Sequence, residues 1–172
     1  MFSAETRSAV IKLAAATIII AYAGCGDDSP ARAKVVGPGE SVFVGDLKVD
    51  ISGAGIGTWM GGRFPDGSPM QESVMMVTVR VENTNQNLIR KIRSAVESAV
   101  LKDDVGNEYQ CIGRKGPPSD EVYPKAIDEE SLVFRVPVRT ASDLILTIDA
   151  ANYGGTGVLS FRLPKTNWVR KE

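Results

Sequence analysis

Histidine is absent from all 172 residues. Without the commonest general base and the commonest zinc and copper ligand, His-dependent triads and metallohydrolase centres are excluded. An excess of positive charge is missing too. Twenty basic residues stand against 21 acidic ones, for a net charge of −1. That balance falls to −2 once Glu5, Arg7 and Lys12 are removed with the first 24 residues. A near-neutral chain lacks the basic field that nucleic-acid binding needs, so no nucleic-acid partner is expected. Long apolar runs are also missing, because residues 13–24 are the longest stretch and give only twelve positions. A bilayer needs about 20 at the helical rise, so no membrane-spanning helix is expected.

What is present is ordinary for a folded protein. An apolar content of 43% with 24% charged residues permits a packed core and argues against wholesale disorder. The length fits one domain with short extras, given typical domains of about 100 to 200 residues.

The start of the chain reads as a targeting segment. Arg7 and Lys12 precede the short apolar run, which ends in small residues as a signal-peptide core does. Directly after it, Tyr22-Ala23-Gly24-Cys25 resembles the bacterial lipoprotein processing box, in which the cysteine is acylated and becomes the mature N-terminus. The resemblance implies lipid on Cys25, and Gly26 at the second position carries no inner-membrane retention signal. A plain secretory signal followed by a chance cysteine is the alternative. If Cys25 is consumed by the anchor, Cys111 has no partner for an intramolecular disulfide. Residues 25–39 hold turn formers and charges without periodicity and read as a flexible tether between the signal segment, 1–24, and the domain.

From 40 to 165 the pattern is one of strands. In 74–83, Val77, Val79 and Val81 alternate with Thr78, Arg80 and Glu82, the period-2 signature of a half-buried strand and the centre of the expected sheet. Similar alternation marks 47–52, 131–136, 144–149 and 158–163. Residues 53–73 carry six glycines and two prolines and read as a long loop, with a short edge strand around Ile56 to Met60 as the alternative for that part. Residues 113–127 read as a second irregular stretch. In 91–102 the spacing of Ile92, Val96 and Val100 also suits a helix, but no cap precedes it, so a strand is expected. Residues 103–107 supply a hairpin turn, and 166–172 are left as a C-terminal tail. Short strands separated by turn chemistry predict an all-β fold, an antiparallel β-sandwich or barrel.

The order of 39–49, 77–85, 101–109, 132–137 and 144–148 resembles the telokin-like, immunoglobulin-fold domains of bacterial lipoproteins and secreted proteins. The resemblance implies an immunoglobulin-like antiparallel sandwich of about seven strands over 40–165. It carries no catalytic set, so it implies no site residues. At Lys125 the chain departs from the family, whose members often have glycine there.

Three groups of residues invite a chemical reading, and each has a structural one. Asp103, Asp104, Asn107 and Glu108 cluster oxygens as calcium would want, yet they also suit a tight turn. Met60, Met70, Met75 and Met76 invite a soft metal, but adjacent Met75 and Met76 point to opposite faces of a strand, and methionine commonly fills core gaps. Ser119, Asp120, Glu121 and Lys125 have nothing to fix a serine-lysine geometry. No catalytic residue, metal site or cofactor is therefore assigned. The expected function is a lipid-anchored, extracytoplasmic binding or interaction module, on the periplasmic side of an outer membrane where the cell has one. Its partners are the membrane, through Cys25, and a protein. The alternatives are a structural cell-envelope component without a discrete ligand and a metal-binding periplasmic protein. Because strand faces carry scattered mixed charges, the expected contacts lie on 53–73 and 113–127, with Trp59, Phe64 and Tyr123 as aromatic anchors, Trp59 and Phe64 alternatively folding back as a lid.

Overall fold

Val77, Val79 and Val81 are buried, and Thr78, Arg80 and Glu82 between them are half-buried, so the strand expected at 74–83 lies with one face in the core. The computed structural model describes residues 35–63, 69–116, 120–137 and 141–170. Its strands in chain order are β1 (Val35–Val36), β2 (Ser41–Val44), β3 (Leu47–Arg63), β4 (Pro69–Asn83), β5 (Arg90–Lys91), β6 (Val100–Asp103) and β7 (Glu108–Gln110). They continue as β8 (Gly113–Lys115), β9 (Glu121–Val122), β10 (Ile127–Arg135), β11 (Asp143–Asp149), β12 (Val158–Pro164) and β13 (Trp168–Arg170).

Two sheets stack into an immunoglobulin-like β-sandwich. One has the order β1-β12-β11-β6-β7 and the other β13-β3-β4-β10-β8, with β2 on β3, while β5 and β9 form a small pair of their own. Alternating residues from both sheets meet in the core: Val77, Val79, Leu132 and Phe134 from one, Leu146, Ile148, Leu101 and Phe161 from the other. Outside the core, cross-strand partners satisfy one another. Lys48 meets Glu82 at 3.2 Å, Arg80 meets Asp50 at 2.8 Å, and the Thr78 and Ser131 hydroxyls meet at 2.9 Å.

Several expectations are corrected. The loop expected at 53–73 is largely the far half of the β3–β4 hairpin, paired from Gly53↔Thr78 out to Arg63↔Pro69. Its glycines read as turn residues, but Gly53, Gly55 and Gly57 alternate with Ala54, Ile56 and Thr58 and so occupy one face of a strand. Register shifts at Ile51/Gly53 and Met60/Gly62 bend the arm, as bulges do. The continuous strand expected at 91–102 is instead β5, a single helical turn in which the Ala99 N–H donates to Ala95 O at 2.8 Å, and β6. The cap missing from the local sequence comes from elsewhere, since Glu130 on β10 accepts the Ala95 N–H at 2.9 Å and the Ser94 hydroxyl. The irregular stretch at 113–127 contains β8 and β9, and β10 begins at Ile127 rather than at 131.

Both domain boundaries move outward. Val35 and Val36, inside the expected tether, pair in parallel with Ser160 and Phe161. Trp168–Arg170, inside the expected tail, pair in parallel with Ala54, Gly55 and Ile56. The sandwich is therefore antiparallel at its centre and parallel at two edges. The many short edge segments raise the strand number above the expected seven.

The ends of the sandwich differ. At one, here called the near end, lie the β2–β3 turn, residues 84–99, the turn before β10 and the 3-10 turn Ala150–Tyr153 that precedes β12. The opposite end carries the β3–β4 arm and the 103–107 turn.

Candidate functional site

Of the residues singled out from sequence, Cys25 and Phe64 lie outside the described residues, as does Ser119. Trp59 and Tyr123 are not brought together. Trp59 on β3 pairs with Glu72, whereas the turn carrying Tyr123 bonds to Asn83, at the other end of the 15-residue β4.

Trp59 is half-buried and belongs to a small apolar layer on the outer face of its sheet. Val74 and Val133 are fully buried there although they point away from the main core. The Trp59 ring lies against Gly113 on β8, so closely that a Cβ on Gly113 would sit 3.1 Å from Cζ2. With that face occupied, Trp59 acts as a cover over its own sheet.

The 103–107 turn is organised by one carboxylate. Buried Asp103 accepts from the Asn107 N–H at 2.7 Å, the Asn107 side-chain amide at 2.8 Å, the Tyr109 hydroxyl at 2.8 Å and the Val105 N–H at 3.1 Å. Burial pushes its pKa up, but the bonds from Asn107, Tyr109 and Val105 outweigh that and bring it down to about 2. Asp104 is likewise held below its ordinary value by the Ser142 hydroxyl and N–H. These oxygens serve the turn and its neighbour. Among the methionines, Met75 is buried in the core, Met60 is exposed and Met76 packs over Gly57, so they do not converge. Cys111 is a free, half-buried thiol that donates to Gly113 O at 3.1 Å. Burial pushes its pKa up.

Tyr123 sits in a different setting, and what surrounds it was not legible in the pattern of residues. Its turn, Tyr123-Pro124-Lys125-Ala126, closes with the Ala126 N–H donating to Tyr123 O at 3.0 Å, and Lys125 at its third position has φ 61°. Proline second and a positive φ third define a type II turn, where glycine is the favoured third residue. Fully buried Asn83 ties this turn to the loop after β4. Its side-chain amide donates to Leu88 O at 2.8 Å and to Val122 O at 2.9 Å, and its Oδ1 accepts the Asn85 N–H at 3.0 Å. Its backbone bonds to Ala126 O and Lys125 N, both at 3.0 Å. Asn85 Oδ1 in turn accepts the Asn87 and Leu88 N–H groups, and Asp46 takes Asn85 and Arg90.

The result is a braced loop cluster that holds large apolar side chains in water. Leu88 is 54% exposed, Ile89 47%, Tyr123 60% and Ile127 56%. Arg90 pairs with Val122, which makes Ile89 and Tyr123 the next residues outward along that ladder. Beside this patch an open groove is bordered by Lys91, Arg93, Asp120, Glu121 and Asn152, with charges of both signs. These four exposed apolar side chains thus stand at one end of the sandwich, on loops that Asn83 braces. The patch adds Leu88, Ile89 and Ile127 to the one anchor, Tyr123, that the sequence had offered at this end.

No family model matches the chain, and no curated protein matches it. Among solved structures, it is similar to MPT63, a secreted protein of Mycobacterium tuberculosis, at 16% identity and a TM-score of 0.48, over 78% of this chain and 98% of that one. It is also similar to an uncharacterized β-sandwich protein of Clostridium difficile 630, at 8% identity and a TM-score of 0.44, over 80% of this chain and 99% of that one.

Proposed function

We propose that the protein is a lipid-anchored, extracytoplasmic interaction module of the telokin-like kind, and that it works through the apolar near end of its sandwich rather than by catalysis. The anchor is the lipid implied on Cys25 by the Tyr22-Ala23-Gly24-Cys25 box. The observation that carries the reading is the patch of Leu88, Ile89, Tyr123 and Ile127, kept exposed on loops that buried Asn83 braces. Exposing four large apolar groups on ordered backbone costs solubility, and a contact that covers them supplies the compensating burial. Trp59, the other described anchor offered from sequence, lies half-buried against Gly113 and is not part of this patch.

Fractionation tests the anchor. Wild-type protein is expected in detergent-extracted membranes with the mass of residues 25–172 plus acyl chains, and Cys25→Ser is expected in the soluble fraction. A wild-type product that is soluble with a free Cys25 thiol would overturn the reading.

A further inference from the structure

The direction in which the chain enters the sandwich bears on what covers the apolar end. β1 runs parallel to β12, with Val35 level with Ser160 and Val36 with Phe161. β12 itself begins at the near end, directly after the turn that follows Ala150–Tyr153, and Val158 at its start pairs with Asp149. Followed backwards from Val36 to Val35, the backbone therefore heads out of the near end, two positions short of the edge marked by Val158. Ten residues, 25–34, separate that exit from Cys25. Fully extended they reach at most about 35 Å.

The exposed large apolar residues have the same polarity. Nine are found among the described residues, and six of them, Val35, Leu88, Ile89, Tyr123, Ile127 and Val158, lie at the near end, where both sheets contribute. Only Met60, Val105 and Ile112 lie elsewhere. This leash leaves from the end that also carries most of the exposed apolar surface, so the two features favour the same face toward whatever holds Cys25.

We infer that the near end rests directly on the lipid surface to which Cys25 is attached, with Leu88, Ile89, Tyr123 and Ile127 entering the headgroup and upper acyl region. This rests on the anchored reading above and names the partner of that same face. The side chains suit it, since aliphatic groups gain from burial in the acyl boundary and tyrosine, with an apolar ring and a polar tip, favours the membrane interface. Charge plays a small part. Lys91 and Arg93 are offset by Asp120 and Glu121 across the adjoining groove and Arg90 by Asp46, while exposed Lys125 stands in the Tyr123 turn, so the contact is mainly apolar and depends little on salt.

Spin labels test the orientation in the full, acylated protein, reconstituted into vesicles of phosphatidylethanolamine and phosphatidylglycerol. In a Cys111→Ala background, one label is placed by Ile127→Cys and another by Val105→Cys at the opposite end, both exposed positions. The label at 127 is expected to show a severalfold higher ratio of oxygen to nickel-chelate collisions than the label at 105, little changed by salt. Adding Leu88→Asp and Ile89→Asp is expected to bring the ratio at 127 down to the aqueous value. An aqueous ratio at 127 in acylated protein that floats with the vesicles overturns the inference, leaves the anchor standing and returns the patch to a protein partner. Protein that carries no acyl chain and does not float overturns both. A lipid-exposed label at 105, or one at 127 that ignores the paired aspartates, also overturns the inference.

Discussion

At the scale of single residues, three side chains do work that their neighbours in sequence do not announce. Lys125 occupies the left-handed region at φ 61°, which costs a residue with a Cβ about 1 kcal/mol relative to glycine. Lys125→Gly is therefore expected to stabilise the fold by up to about 1 kcal/mol, less the added freedom of glycine when unfolded, as read by the urea midpoint. Asn83 is buried with its amide and carbonyl all engaged, so Asn83→Ala strands Leu88 O, Val122 O and the Asn85 N–H. At about 1 to 3 kcal/mol for a buried group left unpaired, a loss of about 3 kcal/mol is expected in denaturant unfolding. Asp103 has a folded pKa of about 2 against an ordinary 3.8, so its ionised form favours the folded state. The stability it provides is complete above about pH 4 and is lost as pH falls toward 2. Melting temperatures of wild type and Asp103→Asn are expected to differ most above pH 4 and to converge near pH 2; a gap that stays constant with pH would show that Asp103 acts by shape alone.

At the scale of elements, the β3–β4 arm shows how glycine misleads. A strand whose alternate residues are Gly53, Gly55 and Gly57 loses its polar face as a signal, yet the bare face is what lets Met76 pack over Gly57. Gly113 has the same role beneath Trp59. Gly113→Val is expected to displace the ring and to cost about 1 to 3 kcal/mol by overpacking, with a red-shifted tryptophan emission in a Trp168→Phe background. Unchanged emission would mean that the ring does not depend on that contact. The helical turn at Ala95–Ala99 makes the converse point. Its cap is Glu130, 35 residues away from Ala95, and no local reading of Arg90 and Lys91 could supply it.

At the scale of the whole molecule, the sandwich closes its edges with the two ends of the folded chain. β13 covers β3 at Ala54–Ile56, and half-buried Trp168 packs on the core with its indole N–H donating to Leu163 O at 3.2 Å. Truncation after Asn167 is expected to cost about 2 kcal/mol of apolar burial and to open a strand edge to self-association, seen as a lower urea midpoint and increased light scattering. Equal stability of the truncated chain would return these residues to the status of a tail. Pairing at β1 has the further effect of setting the near end as the place where the described chain begins, which is the premise of the proposed orientation.

The sequence by itself determined the all-β class, the central strand at 77–81, the core faces of 131–136, 144–149 and 158–163, and the turn at 103–107. Each rests on side-chain alternation or turn chemistry within a few residues, where the backbone period decides which face is buried. Tyr123 was legible as a candidate contact because it is an aromatic in a turn. Tertiary structure decided that 53–63 and 69–73 are paired strand, that Trp59 lies against Gly113, and that Val35 and Trp168 belong to strands. It alone gathered Leu88, Ile89, Tyr123 and Ile127 at one end. These depend on partners far away in the chain: Gly113 for Trp59, Ser160 for Val35, and Asn83 joining Leu88 to Val122. Exposure of an apolar residue is a property of what fails to pack on it, and local periodicity holds no record of that.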